Sequence, residues 1–446
     1  MAVDTPLSYR NLVIYEVYVR NHGPNGTFLD VENDLERIKR MGVDIVWFMP
    51  IHPIGQLNKK GTLGCPYSIQ DYREVNPEYG TKADFKRLID KTHQLGMKVM
   101  IDVVYNHTSH DSVLVRQHPE WFHQDTYGTP VTTVPDWSDV IDLKHPQPGL
   151  TEYLIETLQM WAEFGVDGFR CDVASLLPLE FWATARREVA KVKPGVIWLA
   201  ESVHAGFIEH RRSKGLSGLS DSELFSAFDM AYDYDIWTLF QAAVLGKIPV
   251  NRYLEALRFQ HAIYPANFVK MRCAENHDQR RIMGITKNRE HAIAWTAFQA
   301  FLPGSFLIYG GEDSGASHTP SLFDIDKIDW GNYPLQGFLT SLSLLKKSLI
   351  VRQGSWVVSS TVPAAIAIWS NSSASLVGVF NLNQLSGRVD VPLADGRYLD
   401  ILTHEEVEVR EHQLEIPRSA IILEVSSPIE ARPEYCDLLD FTLPAA

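Results

Sequence analysis

Three times in this chain an amphipathic helical pattern ends on a glycine and leads at once into a short, almost unbroken apolar run. These are ERIKRMGVDIVWF around Gly42, DKTHQLGMKVMID around Gly96 and QMWAEFGVDGFRCD around Gly165. Val31, Leu35 and Ile38 make the apolar stripe of the first helix, and Phe85, Leu88, Ile89, Thr92 and Leu95 that of the second, at the spacing of one helix face. Each glycine stands where a helix end takes a left-handed residue, a conformation glycine reaches without strain. Apolar runs without polar alternation need burial on both faces, which a parallel sheet covered by helices provides. The repetition places the chain in the α/β class.

Eight such runs are expected to be strands: Val13 to Val19, Asp44 to Met49, Lys98 to Val104, Val166 to Cys171, Val196 to Ala200, Leu224 to Phe228, Phe268 to Cys273 and Phe306 to Tyr309. Eight is the number that closes a (β/α)8 TIM barrel. The expected division is a barrel from 1–107 and 150–352, a small inserted subdomain at 108–149 after the third strand, and a C-terminal all-β sandwich domain with a tail at 353–446. The insert is rich in turn formers. After the helical stretch Leu335 to Val351, short alternating runs such as AIAIWS, SLVGVFNL, RVDVPL and AIILEV are separated by Ser, Asn, Gly and Pro, the pattern of an antiparallel module.

Composition excludes several classes. A formal net charge of -14 argues against a nucleic-acid partner, whose binding draws on clustered Lys and Arg. The longest apolar stretch, Trp295 to Tyr309, is broken by Gln299, Pro303 and Gly304 and is too short for a membrane span. The start, MAVDTPLSYRN, has no basic stretch followed by an apolar one, so the expected location is cytoplasmic. Cys65, Cys171, Cys273 and Cys436 have no paired spacing, which suits reduced thiols.

Four short segments carry the chemistry: DVVYNH (Asp102 to His107), GFRCD (Gly168 to Asp172), WLAES (Trp198 to Ser202) and AENHD (Ala274 to Asp278). Each ends an expected strand, so their polar residues converge on one face of a barrel, where such folds build their sites. Arg170 and Asp172 are two apart on one strand and point to the same side, where a guanidinium holds a carboxylate ionised. Glu201 follows the apolar run Val196 to Ala200, an environment that raises a carboxyl pKa and suits a proton donor. Asp278 adds a third negative charge. Two carboxylates with divided roles and a third charge are the equipment of retaining glycoside hydrolysis.

In these four segments the chain resembles the alpha-amylase family of glycoside hydrolases, closest to intracellular maltodextrin-active members. The resemblance runs from Val13 to Trp330 and extends to the β module. It implies Asp172 as nucleophile, Glu201 as acid/base and Asp278 as transition-state stabiliser. It also implies Tyr67, His107, Arg170 and His277 as residues that hold the sugar on the cleaved side. Asp102 is read as a carboxylate that supports the site. The activity implied is retaining cleavage of α-1,4-glucosidic bonds in malto-oligosaccharides through a covalent glucosyl-aspartate intermediate. The separation of the Asp172 and Glu201 carboxyl groups is then expected at about 5 to 5.5 Å.

No cofactor is required by this chemistry. The family often holds calcium between barrel and insert, and Asn106 and Asp136 match two of its oxygen ligands; calcium takes six to eight oxygens in all. Two departures bear on substrate choice. Ser175 and Leu176 stand where many amylases carry a Lys-His pair, and Gly64 stands where chain-end-acting relatives carry an Asp. Trp121, Tyr127 and Trp137 of the insert are candidates for sugar stacking or for packing. The alternatives are a transglycosylase or sucrose-active enzyme of the same family, a non-catalytic barrel, which should have lost its acidic residues, and a metal-dependent hydrolase, which would want a His-x-His pair that YEVYVRNHG lacks.

Overall fold

The structure, a computed structural model, describes residues 4–361 and 364–430. The proline-containing tail from 431 onward, with Cys436, lies outside the described residues. Eight parallel strands close into a barrel: β1 (Val13–Val17), β2 (Ile45–Phe48), β3 (Lys98–Val103), β4 (Gly168–Cys171), β5 (Ile197–Ala200), β6 (Met230–Tyr232), β7 (Lys270–Arg272) and β8 (Ser305–Tyr309). Every strand pairs with its neighbours in sequence, and β8 closes on β1 with Val13 opposite Phe306.

Seven of the eight strands fall within a few residues of the expected positions; the sixth does not. The run Leu224 to Phe228 is expected as a strand, but Asp221–Leu224 is a short helix. The Glu223 carboxylate accepts from both the backbone N–H and the hydroxyl of Ser220, and this Ser-x-x-Glu box starts a helical turn. The strand itself is the three-residue Met230–Tyr232, entered where the Asp229 N–H donates to the Trp198 carbonyl of β5. Its shortness and its flanking Asp229 and Asp233 hide it from an apolar-run count.

The three helix-ending glycines adopt positive φ: 86° at Gly42, 70° at Gly96 and 126° at Gly165. The helices they end bury the expected stripes, Phe28, Val31, Leu35 and Ile38 in one and Phe85, Leu88, Ile89 and Thr92 in the next. Thr27 and Thr81 cap their N-termini, each in a reciprocal box with the Asp three residues on.

After β3 the chain leaves the barrel. His107–Ser109 pairs antiparallel with Val140–Asp142, and a short helix at Val113–Gln117 lies between them. The C-terminal region contains a four-stranded antiparallel sheet of Ser355–Thr361, Ala364–Ser370, Ser375–Phe380 and Ala420–Val425. One face of this sheet (Ile366, Ile368, Val377, Val379) packs with Val389, Val409 and Leu414 of two smaller sheets and with Val391 beside them. The other face joins the barrel core, with the Phe380 ring against Phe298 and Phe301 and Trp369 Nε1 donating to the Phe301 carbonyl. Among the described residues no helix is long and apolar enough to cross a membrane.

The two glycine positions separate conformational from steric cost. A Cβ at Gly165 would stand 3.0 Å from Ile89 Cγ2, whereas at Gly96 its nearest neighbour is the mobile Lys39 Nζ at 3.9 Å. Gly96→Ala is therefore predicted to cost about 1 kcal/mol and Gly165→Ala clearly more. Urea unfolding of the two variants checks the order, and equal losses would contradict it.

Candidate active site

The strand ends put four carboxylates around one guanidinium. Arg170 of β4 is fully buried, and its register partner on β3 is Asp102. Arg170 Nη1 donates to Asp102 Oδ1 and to Asp172 Oδ1, each at 2.8 Å. Its Nε donates to the Tyr232 hydroxyl on β6 at 3.1 Å, and Nη2 stands 3.0 Å from Glu201 Oε2 and 4.0 Å from Asp278 Oδ2. The guanidinium lies over the rings of Trp47, Tyr67 and Tyr232 at 5.2–5.6 Å. A charge buried at this depth is tolerated only when paired and hydrogen-bonded, and here the partners are the carboxylates of the candidate site.

The carboxyl groups do not share one protonation state. Burial pushes Glu201 up to about 8, against the pull of Arg170, with repulsion from Asp172 and Asp278 adding to the rise. Burial raises Asp172 to about 7 and Asp102 to about 6, with Arg170 opposing in both. Glu201 keeps its proton longest. Its Oε2 is occupied by the Val173 N–H at 2.7 Å as well as by Arg170, which leaves Oε1 to carry the proton. Val173 holds that N–H in place with a left-handed backbone, φ 36° and ψ 45°. For a β-branched residue this conformation is strained and persists only where its surroundings enforce it.

The expected sugar-holding residues all reach the same mouth. Tyr67 donates its hydroxyl to Asp102 Oδ2 at 3.0 Å, lies 2.7 Å from His277 Nε2, and stacks on the His277 ring. His107 places Nε2 4.0 Å from Asp172 Oδ2, while its Nδ1 faces the Asn106 amide at 3.3 Å. An amide donor at Nδ1 leaves the proton on Nε2, the nitrogen facing Asp172; burial lowers the His107 pKa and keeps the ring neutral. Asp278 is the open member, its side chain 33% exposed, with the Tyr234 hydroxyl 3.4 Å from Oδ2.

Several residues escaped the sequence reading. Glu16 of β1, fully buried, pairs with His277 Nδ1, and Trp47, Tyr232 and Tyr234 wall the site. A lone charge inside the apolar run VIYEV was the available signal for Glu16. Other candidates settle into structural places. Ser175 is buried, its hydroxyl accepting from the Val203 N–H and its carbonyl from Leu219. Gly64 has φ 82°, and a Cβ there would stand 2.8 Å from Ile54 Cγ2. Trp121 is buried against His118 and Tyr153, and Trp137 packs edge-on against His107. Tyr127 is 92% exposed at a turn.

At Asn106 and Asp136, the two oxygen ligands expected for calcium, a lysine stands nearby. The Asn106 amide nitrogen faces His107 Nδ1, and its backbone carbonyl accepts from the Leu143 N–H. The exposed Asp136 presents its carbonyl to the Lys60 ammonium at 3.1 Å, and Lys60 also pairs with Asp139 at 2.8 Å. A resident lysine thus supplies the positive charge at this point of the insert. Among the described residues no three His, Cys, Asp or Glu side chains are grouped as a metal site.

Two outcomes follow. A carboxyl held protonated in the folded state loses stability as pH rises from the unfolded value of about 4.3 through the folded one. The stability of Glu201→Gln relative to wild type is therefore predicted to rise between pH 5 and pH 9, by about 4 kcal/mol; thermal melts across this range check it, and a pH-independent difference contradicts it. Dialysis against a chelator is predicted to leave the melting temperature unchanged, whereas Lys60→Met lowers it and calcium does not restore it. A wild-type melting temperature that climbs with added calcium would contradict the lysine assignment.

Comparison with known proteins gives the family. The description "Alpha amylase, catalytic domain" matches residues 20–132 and 134–331, and "Bacterial Alpha amylase C-terminal domain" matches 358–423. The crystal structure of an alpha-amylase from Lactobacillus plantarum is similar at a TM-score of 0.91 and 43% identity, covering 94% of this chain and 100% of that one. A maltogenic alpha-amylase from Thermotoga neapolitana is similar at 0.84 and 33%, covering 94% and 99%. An alpha-amylase of Haloarcula japonica is 28% identical over 330 residues, 70% of this chain but 45% of that protein's length. The chain belongs to the alpha-amylase family of glycoside hydrolases.

Proposed function

We propose that this enzyme cleaves α-1,4-glucosidic bonds of malto-oligosaccharides with retention of configuration. The observation that carries the reading is the division between Asp172, hydrogen-bonded to Arg170 Nη1, and Glu201, pushed furthest up by burial while sharing the same guanidinium. A carboxyl that keeps its proton donates to the glycosidic oxygen as the bond breaks, and an ionised one beside it attacks the anomeric carbon. The resulting β-glucosyl ester on Asp172 is then opened by water, with Glu201, now ionised, taking the proton.

The remaining residues serve the same centre. Asp278, open to the cleft, sets its negative charge where positive charge grows on the sugar ring. Tyr67 offers a ring face to the sugar, and neutral His107 offers an Nε2–H to its hydroxyls; neither needs a charged substrate. Similarity to an alpha-amylase from Lactobacillus plantarum and to a maltogenic alpha-amylase from Thermotoga neapolitana supports an α-glucan as substrate. The Lys60 ammonium, placed at the Asp136 carbonyl and the Asp139 carboxylate, supports action without a bound metal.

Maltoheptaose is predicted to yield shorter products that are α-configured when first released. Glu201→Gln lowers kcat by about a hundredfold to ten-thousandfold. Chromatography and NMR of the nascent anomer read both. First-formed β products would contradict retention, and absence of cleavage by the wild type would contradict the substrate class. Products longer than maltoheptaose would show a sugar acting as acceptor in place of water.

A further inference from the structure

The buried carboxylate on β1 is unexplained by the reaction as written. Glu16 is fully enclosed in the barrel, one of its oxygens bonded to His277 Nδ1 and the other without a hydrogen-bond partner among the described residues. Taking an ionisable group into such a place is costly unless its charge is compensated. The compensation it finds is an imidazole.

The proton positions around that imidazole can be followed. The Tyr67 hydroxyl has one hydrogen and donates it to Asp102 Oδ2, so its oxygen accepts from His277, and Nε2 carries a hydrogen. The neutral tautomer with that hydrogen would turn a bare lone pair at Nδ1 toward the Glu16 carboxylate. A proton must therefore lie between Nδ1 and Glu16. Nε2 also stands 3.2 Å from Asp278 Oδ2, so the ring sits between two acidic groups.

We infer that Glu16 is a positioning residue that holds His277 as an imidazolium beside Asp278, giving the carboxylate cluster a second fixed cation besides Arg170. The inference rests on the proposed reaction for its consequence, and for the charge state on the hydrogen-bond geometry together with the two acidic groups that flank the ring.

Every group facing the ring bears on this state. Burial pulls the His277 pKa down, Asp278 and Glu16 push it up, and Arg170 of β4 opposes them, with a net rise to about 9. Tyr67 stacks on the ring and Trp47 of β2 meets it edge-on, both neutral aromatic faces. Asp102 of β3 is reached through the Tyr67 hydroxyl and is itself eased downward by His277. Glu16 also acts on Tyr232, Tyr309 and Cys273, whose own ionisation it opposes.

The mechanistic consequence is specific. Asp278 has Arg170 no nearer than 4.0 Å, and the His277 ring at 3.2 Å. Its closer cation is the one that Glu16 maintains. A glutamine at position 16 could donate its amide to Nδ1 and keep the ring in place while removing the charge, so orientation and charge are separable in one substitution.

The test uses protein labelled with nitrogen-15 in histidine, with the His277 signals assigned by their absence from His277→Gln. Wild-type His277 should show both ring nitrogens protonated at pH 7 to 8, and a neutral ring there overturns the proposal without reference to any variant. In Glu16→Gln the ring should become neutral over this range, kcat on maltoheptaose should fall about 10- to 100-fold with little change in KM, and the alkaline limb of the pH profile should move to lower pH. Glu16→Asp, which keeps the charge, should retain the imidazolium signals. A folded Glu16→Gln protein with wild-type ring signals and an unmoved pH profile would make Glu16 a packing residue only. If the wild type cleaves no α-glucan, the ring signals still decide the charge state, and only the proposed reaction fails.

Discussion

One buried cation organises this enzyme. The Arg170 guanidinium, with hydrogen bonds or close contacts to Asp102, Asp172, Glu201 and the Tyr232 hydroxyl, ties β3, β4, β5 and β6 together at the barrel mouth. Without it Asp102, Asp172 and Glu201 would face one another, buried and stripped of the guanidinium that all three approach, an arrangement costly to any fold. Parallel register explains why this arginine meets these acids. Asp102 lies opposite Arg170 across a strand pair, and Asp172 is two residues further along the same strand direction.

One guanidinium shared by Asp102, Asp172 and Glu201 cannot hold all three ionised, and the proposed chemistry draws on that shortage. Burial raises all three enclosed acids against the pull of Arg170, and the one pushed furthest up is Glu201. Backbone geometry reinforces the arrangement, because the left-handed Val173 spends conformational energy to aim its N–H at one Glu201 oxygen and leave the other for the proton. The barrel, with its helices and the C-terminal sheet packed through Phe380 and Trp369, makes such strain sustainable. Stability at large is what permits instability at the site.

Much of this was legible in the residues, for physical reasons. Gly-capped helices feeding apolar runs mark αβ units because both features are local, and acidic residues at the ends of those runs mark the site because parallel strands point their C-terminal ends one way. What failed to show was non-local or too short. The three-residue β6 has no periodicity to detect, and its neighbour Leu224 to Phe228 looks apolar enough to replace it. Asn106 and Asp136 carry oxygen atoms suited to calcium, and only the folded chain brings Lys60 to the Asp136 carbonyl. Trp121 has the same side chain whether it stacks on a sugar or on His118. Glu16 was visible as a charge in an apolar strand, but its partner is 261 residues away.

The division of labour between Asp172 and Glu201 is the claim on which the rest turns. Its most direct measurement is trapping with a fluorinated maltosyl fluoride that forms the ester quickly and hydrolyses slowly, followed by peptic digestion and mass spectrometry. The predicted result is one sugar per chain, on the peptide that contains Asp172 and on that side chain. A label on Glu201, or turnover of an activated maltoside with no ester on any residue, would contradict it.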